Sequence, residues 1–363
     1  MDKEYLNNCA RQFNIPDHIV SINSHGNGHI NDTFLVETQD KWNLKKYILQ
    51  KVNSNVFKKP EQVIENIVKV TGFLKVRADS EREVLSLIPT KDGNTYFKDD
   101  IGDVWRMYNF IDNAICLDIV DDEQDFYECA FAFGKFQRDL SHFPADTLYE
   151  TIPNFHNTPV RFGAFLSAVT ADKCNRANGV KDEIDFVISR QDFYSTLIDA
   201  EHKGELPLRV THNDTKSNNV MLDATTRKAL CVIDLDTVMP GYSVTDFGDA
   251  IRFGASTAAE DEKDLNKVHF SIKLYKSYLK GFLDGCGGKL KKSEIMLLPE
   301  GAKMMTIECG MRFLADYLSG DTYFKTGYPE HNLVRAKTQF KLVKEMEEHW
   351  AEMKEAVSKY CED

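Results

Sequence analysis

The chain has 363 residues, 45 of them Lys or Arg and 57 Asp or Glu, for a formal charge of −12, and 42% of it is hydrophobic. This is a globular composition long enough for about two domains, each able to bury its own core without disulfide or metal staples. It excludes a disordered chain and a small stapled scaffold, and its acidity offers no footprint for a nucleic-acid backbone.

No stretch approaches the roughly 18 uncharged apolar residues of a spanning helix, since the run Val104 to Val120 is broken by Arg106, Asp112 and Asp118. The start, MDKEYLNNCARQF, lacks the basic, apolar and small-residue sections of a secretory signal. The expectation is a cytoplasmic protein with neither membrane nor nucleic acid as partner; a monomer is compatible, and the oligomeric state stays open. Eight cysteines without a CxxC pair or histidines at finger spacing predict reduced, mostly buried thiols and no structural zinc.

Along the chain, short β-rich runs come first: Ile19 to Ser24, Ile30 to Glu37, Tyr47 to Val52, Thr95 to Lys98 and Val104 to Ile111. One helix interrupts them, opened by Pro60, with Val63, Ile64, Ile67, Val70, Thr71 and Leu74 on one side. Near residue 115 the texture turns helical: Asp121 to Leu140, Pro159 to Ala177 behind a Thr158 cap, Glu183 to His202, Asp261 to Leu283, Ser293 to Leu318 and His331 to Val357. A strand-rich insert, Leu208 to Thr211, Val220 to Leu222 and Ala229 to Ile233, lies between the third and fourth of these. The prediction is an α+β chain of two lobes, 1–111 a small antiparallel sheet with one main helix and 112–363 larger and mostly helical, with a ligand cleft between them.

The densest polar constellation is Thr211-His212-Asn213-Asp214-Thr215-Lys216-Ser217-Asn218-Asn219, followed by Ile233-Asp234-Leu235-Asp236. Phosphoryl transfer needs this inventory: a carboxylate to orient and deprotonate a hydroxyl, and oxygen ligands for Mg²⁺ on the nucleotide phosphates. His-x-Asp followed five residues later by Asn, with Ile-Asp-x-Asp one hairpin on, has protein-kinase spacing. In that reading Asp214 is the base, Asn219 and Asp234 are metal ligands, Lys216 neutralises phosphoryl charge, and His212 and Asp236 support the site. Taken singly, the same Asp, Asn and Thr residues also suit turn capping. Asp246-Phe247-Gly248-Asp249 looks like a kinase metal motif but comes too late for one, so Asp246 is read as a supporting acceptor or helix cap.

In the first lobe His25-Gly26-Asn27-Gly28-His29 joins two strands, and Gly26, Asn27 and Gly28 would let backbone N–H groups approach phosphates; a plain hairpin turn accounts for them equally well. Gln50 stands where this fold places a phosphate-binding Lys, so either it contacts phosphate itself or Lys51, Lys46 or a later cation supplies the charge. Tyr108 and Phe110 lie in a hinge strand whose backbone could meet adenine, or which is an ordinary core strand. Arg312, among Cys, Gly, Met, Phe and Leu, is either in a buried ion pair or aimed at a ligand. The run Glu260 to Asp264 reads as a solvated helix start.

Over nearly its whole length the chain resembles the aminoglycoside-phosphotransferase-like kinases. The resemblance rests on GNGHIN (26–31), THNDTKSNN (211–219), IDLDTVMPG (233–241), DFGDAIRFGAST (246–257), ECGMRFLADYL (308–318) and YPEHNLVR (328–335), the last segments being selective for members acting on hexosamines. The resemblance implies ATP- and Mg²⁺-dependent phosphorylation of the anomeric C1 hydroxyl of N-acetylglucosamine or N-acetylgalactosamine, with Asp214 facing that hydroxyl. By the same resemblance His29, Arg312 and Tyr323 hold the sugar. A kinase of this fold acting on a choline-, homoserine- or aminoglycoside-like alcohol, and a nucleotide-binding module without catalysis, are the competing readings.

Overall fold

The computed structural model describes residues 2–26, 30–41, 43–117, 120 and 122–362. Asn27, Gly28 and His29, three of the expected ligand-binding positions, lie outside the described residues.

The chain opens with a helix not expected from the sequence, α1 (Lys3–Ala10), which buries Leu6, Cys9 and Ala10. Strands β1 (Ile19–Ser24), β2 (Asp32–Asp40) and β3 (Asn43–Lys51) follow, then α2 (Pro60–Lys75) and strands β4 (Phe97–Lys98) and β5 (Val104–Asn109). Among the described residues these five strands form one antiparallel sheet in the order β1-β2-β3-β5-β4. Its two faces separate by the two-residue period of a strand. Tyr47, Leu49, Trp105 and Met107 pack with α1 in one core. Val104 and Tyr108 face Val63, Ile64, Ile67 and Val70 of α2 in another, which continues into Val210, Cys231, Leu235 and Val238 of the second lobe. Asn66 of α2 extends that junction, its amide donating to the Tyr149 and Val238 carbonyls at 2.8 and 3.0 Å.

Strand β6 (Ala114–Cys116) leads into the second lobe: α3 (Glu123–Asp139), α4 (Thr158–Ala171), α5 (Lys181–Ile188), α6 (Thr196–His202), strands β7 (Arg209–Thr211), β8 (Val220–Asp223), β9 (Ala229–Val232) and β10 (Met239–Gly241), then α7 (Ser243–Gly254), α8 (Ile272–Cys286), α9 (Lys292–Met296), α10 (Leu298–Ser319), α11 (His331–Glu348) and α12 (Trp350–Ser358). β6 joins β8 and β9, and β7 pairs with β10. Helix α7 lies directly on α10 because both contact points are glycine: a Cβ on Gly248 would meet the Gly301 carbonyl oxygen at 2.2 Å, and one on Gly301 would meet that of Val244 at 2.1 Å. Gly248 of the kinase-like DFG tripeptide is therefore a helix-packing residue.

Several expected boundaries shift for identifiable reasons. The cap of α4 is Asn157, which accepts from Val160, while the Thr158 hydroxyl donates to Glu308 at 2.6 Å; the helix ends where Asp172 turns left-handed, not at Ala177. The expected helix Glu183 to His202 is two, with the Tyr194 hydroxyl donating to the Val187 carbonyl at the end of α5. Pro299, without an N–H, starts α10 afresh after α9. His331 to Val357 divides at His349. Residues 261–271 hold no α-helix, only a 3-10 turn at Leu265–Lys267, and α8 begins behind a Ser271 cap. Glu260 is accordingly no solvated helix start: it accepts from Arg252 at 2.6 Å. Of the eight cysteines, none in a disulfide among the described residues, Cys9, Cys129, Cys231 and Cys286 are buried, whereas Cys116 and Cys174 are exposed.

Candidate active site

The loop between β7 and β8 is held from beneath by α7. Asp246, fully buried, accepts from the backbone N–H of His212 at 2.9 Å through one oxygen and of Asn213 at 2.8 Å through the other, with Gln137 adding a third donor. Burial raises its carboxyl above the usual range despite these bonds. One helical turn on, Asp249 accepts from the Thr215 backbone at 3.0 Å and from Arg252 at 2.9 Å. Asn213 is thereby kept at φ 64°, a left-handed conformation that a non-glycine residue adopts only when its surroundings impose it.

His212 lies against the edges of Phe133 and Phe136, out of reach of a substrate. Its Nδ1 faces the Asp214 N–H at 3.3 Å and its Nε2 the Ile233 carbonyl at 2.8 Å. An N–H can only donate and a carbonyl only accept, so Nδ1 is the acceptor and Nε2 carries the proton. The imidazole thus ties the catalytic loop to the end of β9.

The Asp214 carboxylate, half-buried, meets Lys216 Nζ at 2.9 Å through Oδ1 and Asn219 Nδ2 at 3.1 Å through Oδ2. Burial alone would lower the Lys216 pKa, but the Asp214 charge outweighs it and holds the ammonium above its ordinary value. Asn219 Nδ2 also donates to the Asp214 carbonyl at 2.8 Å, so its orientation is fixed and its amide oxygen is turned away. Asp234 follows β9 at φ 57°, again left-handed, with its side chain exposed. Although open to the cleft, its carboxyl is surrounded by enough protein that desolvation, then the charges of Asp236 and Asp214, push it up to about 6. Carboxylates held together against their mutual repulsion, beside an outward amide oxygen, suit a hard divalent cation such as Mg²⁺. No group of three or more His, Cys, Asp or Glu is arranged to hold a metal among the described residues, so a cation here would draw the rest of its oxygens from ligand and water.

On the first lobe Gly26 takes φ 76° with open space where a side chain would begin. The Gln50 side chain is not free for phosphate: its amide donates to Thr33 at 3.0 Å, and its oxygen accepts from Arg106 Nε at 3.0 Å and Nη2 at 2.8 Å. Tyr108 is buried, with Arg106 5.3 Å from its ring centre. Phe110 is half-buried, its ring 6.0 Å from that of His25, so the hinge and the strand turn do meet. The hinge backbone has less to offer a base than the sequence suggests, because the Asn109 and Phe110 N–H groups are spent on the Ser86 and Lys46 carbonyls. Asp236 reaches across to this lobe, pairing with Arg106 at 2.5 Å and accepting from Asn31 at 2.6 Å.

The remaining wall comes from α10 and the segment after it. Glu308 is buried and accepts from Thr158 at 2.6 Å; His156 Nδ1 lies 3.0 Å from its other oxygen, and His156 Nε2 lies 3.5 Å from the Asn213 carbonyl. Burial would raise the Glu308 carboxyl, but His156, Arg312 and Thr158 together hold it below the usual range. One turn along α10, Arg312 makes no hydrogen bond or salt bridge among the described residues; its guanidinium is 5.5 Å from the Phe155 ring, 5.8 Å from Tyr323 and 5.5 Å from Phe324. Asp316 shapes the segment facing it, accepting from the Thr322, Tyr323 and Phe324 N–H groups. A separate cavity of about 370 Å³ is lined by Ser217, Arg252 and Glu260 but by neither Asp214 nor Asp234.

The structure thus gathers Asp214, Lys216, Asn219, Asp234 and Asp236 around one loop pair, and Arg312 with Tyr323 on a neighbouring wall. Arg106 and His156 lie in none of the motifs, and the partners of Asn31 and Glu308, which do lie in motifs, are far off in the sequence. The unusual Gln50 was the one pointer to Arg106.

This arrangement, a strand-delivered carboxylate pair facing a braced loop Asp under a small antiparallel sheet, defines a protein-kinase-like phosphotransferase fold. The phosphotransferase enzyme family, APH, matches residues 21–270, and the chain belongs to it. Its structure is similar to that of an aminoglycoside phosphotransferase from Alicyclobacillus acidocaldarius (TM-score 0.64, 10% identity, covering 97% of this chain and 96% of that one). It is also similar to a choline kinase from Cryptosporidium parvum (0.59, 14%, 99% and 99%). A spectinomycin phosphotransferase in complex with ADP and spectinomycin is similar as well (0.57, 12%, 95% and 99%). At such identities the likeness is one of fold: the α+β two-lobe architecture expected from the sequence is the one found. No helix among the described residues is long and apolar enough to cross a membrane.

Proposed function

We propose that the chain is an N-acetylhexosamine 1-kinase, transferring the γ-phosphoryl group of ATP to the anomeric hydroxyl of N-acetylglucosamine or N-acetylgalactosamine. In this reading the sugar's C1 oxygen attacks the γ-phosphorus, its proton passes to Asp214, and the bond to the ADP oxygen breaks in line. Asn219 and Asp234 would hold Mg²⁺, which when bound neutralises charge on the phosphates. Lys216, already beside Asp214, adds a second cation. The base contributes about 10²- to 10⁴-fold, so positioning and charge neutralisation carry most of the acceleration.

The observation that carries the sugar assignment is Arg312. Choline, in the kinase of similar fold, is a cation. Here the wall near Asp214 presents a guanidinium that makes no salt bridge among the described residues, although its charge reaches Glu308, and burial, then the Arg312 charge, hold the nearby Arg161 below its ordinary pKa. Such a wall repels a cationic acceptor and suits neutral hydroxyl and acetamido oxygens, with Phe155, Tyr323 and Phe324 offering ring surface to a sugar. Phosphorus NMR of the product formed from MgATP and either hexosamine tests this: the coupling locates the new phosphate at C1. Turnover of choline or aminopropanol with none of a free hexosamine would sink the assignment.

A further inference from the structure

The first lobe of a phosphotransferase of this fold has to set a positive charge against the nucleotide's phosphates, and Gln50 cannot supply one. Two of the cations considered for that duty are placed elsewhere. Lys51 points to the opposite sheet face from Gln50 and is paired with Asp103 at 3.2 Å and Asp32 at 3.4 Å. Lys46, about 13 Å along the strand at some 3.3 Å per residue, lies over Phe110, 5.3 Å from its centre, and 3.9 Å from Asp112. Arg106 is different. In the sheet register it stands directly opposite Gln50, on β5. Both side chains share the face that looks toward the second lobe, and both Gln50 contacts to Arg106 run from the guanidinium to the Gln50 oxygen. Gln50 therefore holds the guanidinium at the place that a lysine at position 50 would occupy with its own charge.

From there Arg106 reaches the metal loop through Asp236, two residues beyond Asp234. Its third nitrogen, Nη1, is buried and has no hydrogen-bond partner among the described residues. A guanidinium N–H left unsatisfied in the interior is costly even when the charge itself is paired, and an anionic oxygen relieves that cost. We infer that Arg106 is the phosphate-binding cation of this chain, delivered from β5 in place of a β3 lysine, with Gln50 as its positioning residue. The inference rests on the nucleotide part of the proposed function and not on the identity of the acceptor.

The test separates phosphate from base by calorimetric titration of the full chain with MgADP and with adenosine. Arg106→Gln is expected to weaken MgADP at least about tenfold, the loss of one charge-assisted contact, with adenosine affinity kept within about twofold. The double change Gln50→Lys with Arg106→Gln moves the charge back to β3 and is expected to recover most of the loss. Gln50→Leu, which keeps the Arg106 and Asp236 pair and its fold, is expected to weaken MgADP about threefold and leave adenosine alone, so the inference stays testable should Arg106→Gln fail to fold. Equal weakening of ADP and adenosine, an unchanged MgADP affinity in Gln50→Leu, or a double variant no better than the single one overturns it. A wild-type chain that binds MgADP yet turns over no hexosamine removes the sugar assignment and leaves Arg106 in place; one that binds no MgADP removes both.

Discussion

The two walls that meet at Asp214 are built on opposite terms. The loop that carries Asp214 is backed by α7, whose buried Asp246 and Asp249 hold the backbone on both sides of it, at His212, Asn213 and Thr215. The wall around Arg312 is held largely by one carboxylate, Asp316, and presents Tyr323 at 66% exposure. Reaction geometry tolerates little displacement, and the carboxylate proposed as the base sits on an over-determined backbone. Recognition of an acceptor is settled by a few exposed side chains, which can vary without disturbing what lies behind them.

That division is broken most severely at Asp214. Asp214→Asn should lower kcat by about 10²-fold or more while leaving MgADP affinity near wild type, as read by a coupled ADP assay beside a titration; near-normal turnover removes the base from the scheme. Behind it, Asp246→Asn replaces one of the two accepting oxygens with a donor that opposes a backbone N–H, and should cost about 2–4 kcal/mol in denaturant unfolding, together with most of the activity. A stable and active variant would show that the loop holds its shape without α7. The second wall should respond differently: Arg312→Ala is expected to raise the sugar KM about tenfold, near 1.4 kcal/mol, with the ATP KM and the unfolding midpoint little changed. Should the ATP KM move instead, Arg312 belongs to the phosphates.

The smallest effect concerns pH. The Asp234 carboxyl, raised to about 6 by the protein around it and by Asp236 and Asp214, titrates above its unfolded value of about 3.9. The folded state holds that proton longer, so the associated stability is full below about pH 4 and is lost as the pH rises through 6. Asp234→Asn should therefore raise the Tm of the metal-free protein by about 1–3 °C at pH 7.5 and by less at pH 5. A difference independent of pH would mean that Asp234 feels no such repulsion.

The uneven legibility of the sequence follows the same contrast. Strands β1 and β5 and helix α2 could be read because alternation and 3.6-residue spacing are local signals, and the catalytic loop because its residues are contiguous. The long helical runs misled where the interruption was tertiary or a single proline, as at Tyr194 and Pro299. Arg106 and Gln50 are 56 residues apart, and Asn31 and Asp236 are 205 apart, so no spacing rule joins them. Of the two readings open at Gln50, the engagement of its side chain speaks against direct phosphate contact, and that engagement is set by sheet register, which a list of strands does not contain.

The pair formed by Lys216 and Asp214 also bears on economy. With one oxygen of Asp214 on the ammonium and the other facing Asn219, a lone water molecule meets a carboxylate each of whose oxygens already accepts one contact. On the proposed function, a sugar would bring contacts to the second wall that can displace them, as an induced-fit acceptor must. The arrangement would then guard against idle hydrolysis of the donor, so ATP loss measured without hexosamine should be a small fraction of that with it, and Lys216→Ala should widen that leak relative to productive turnover.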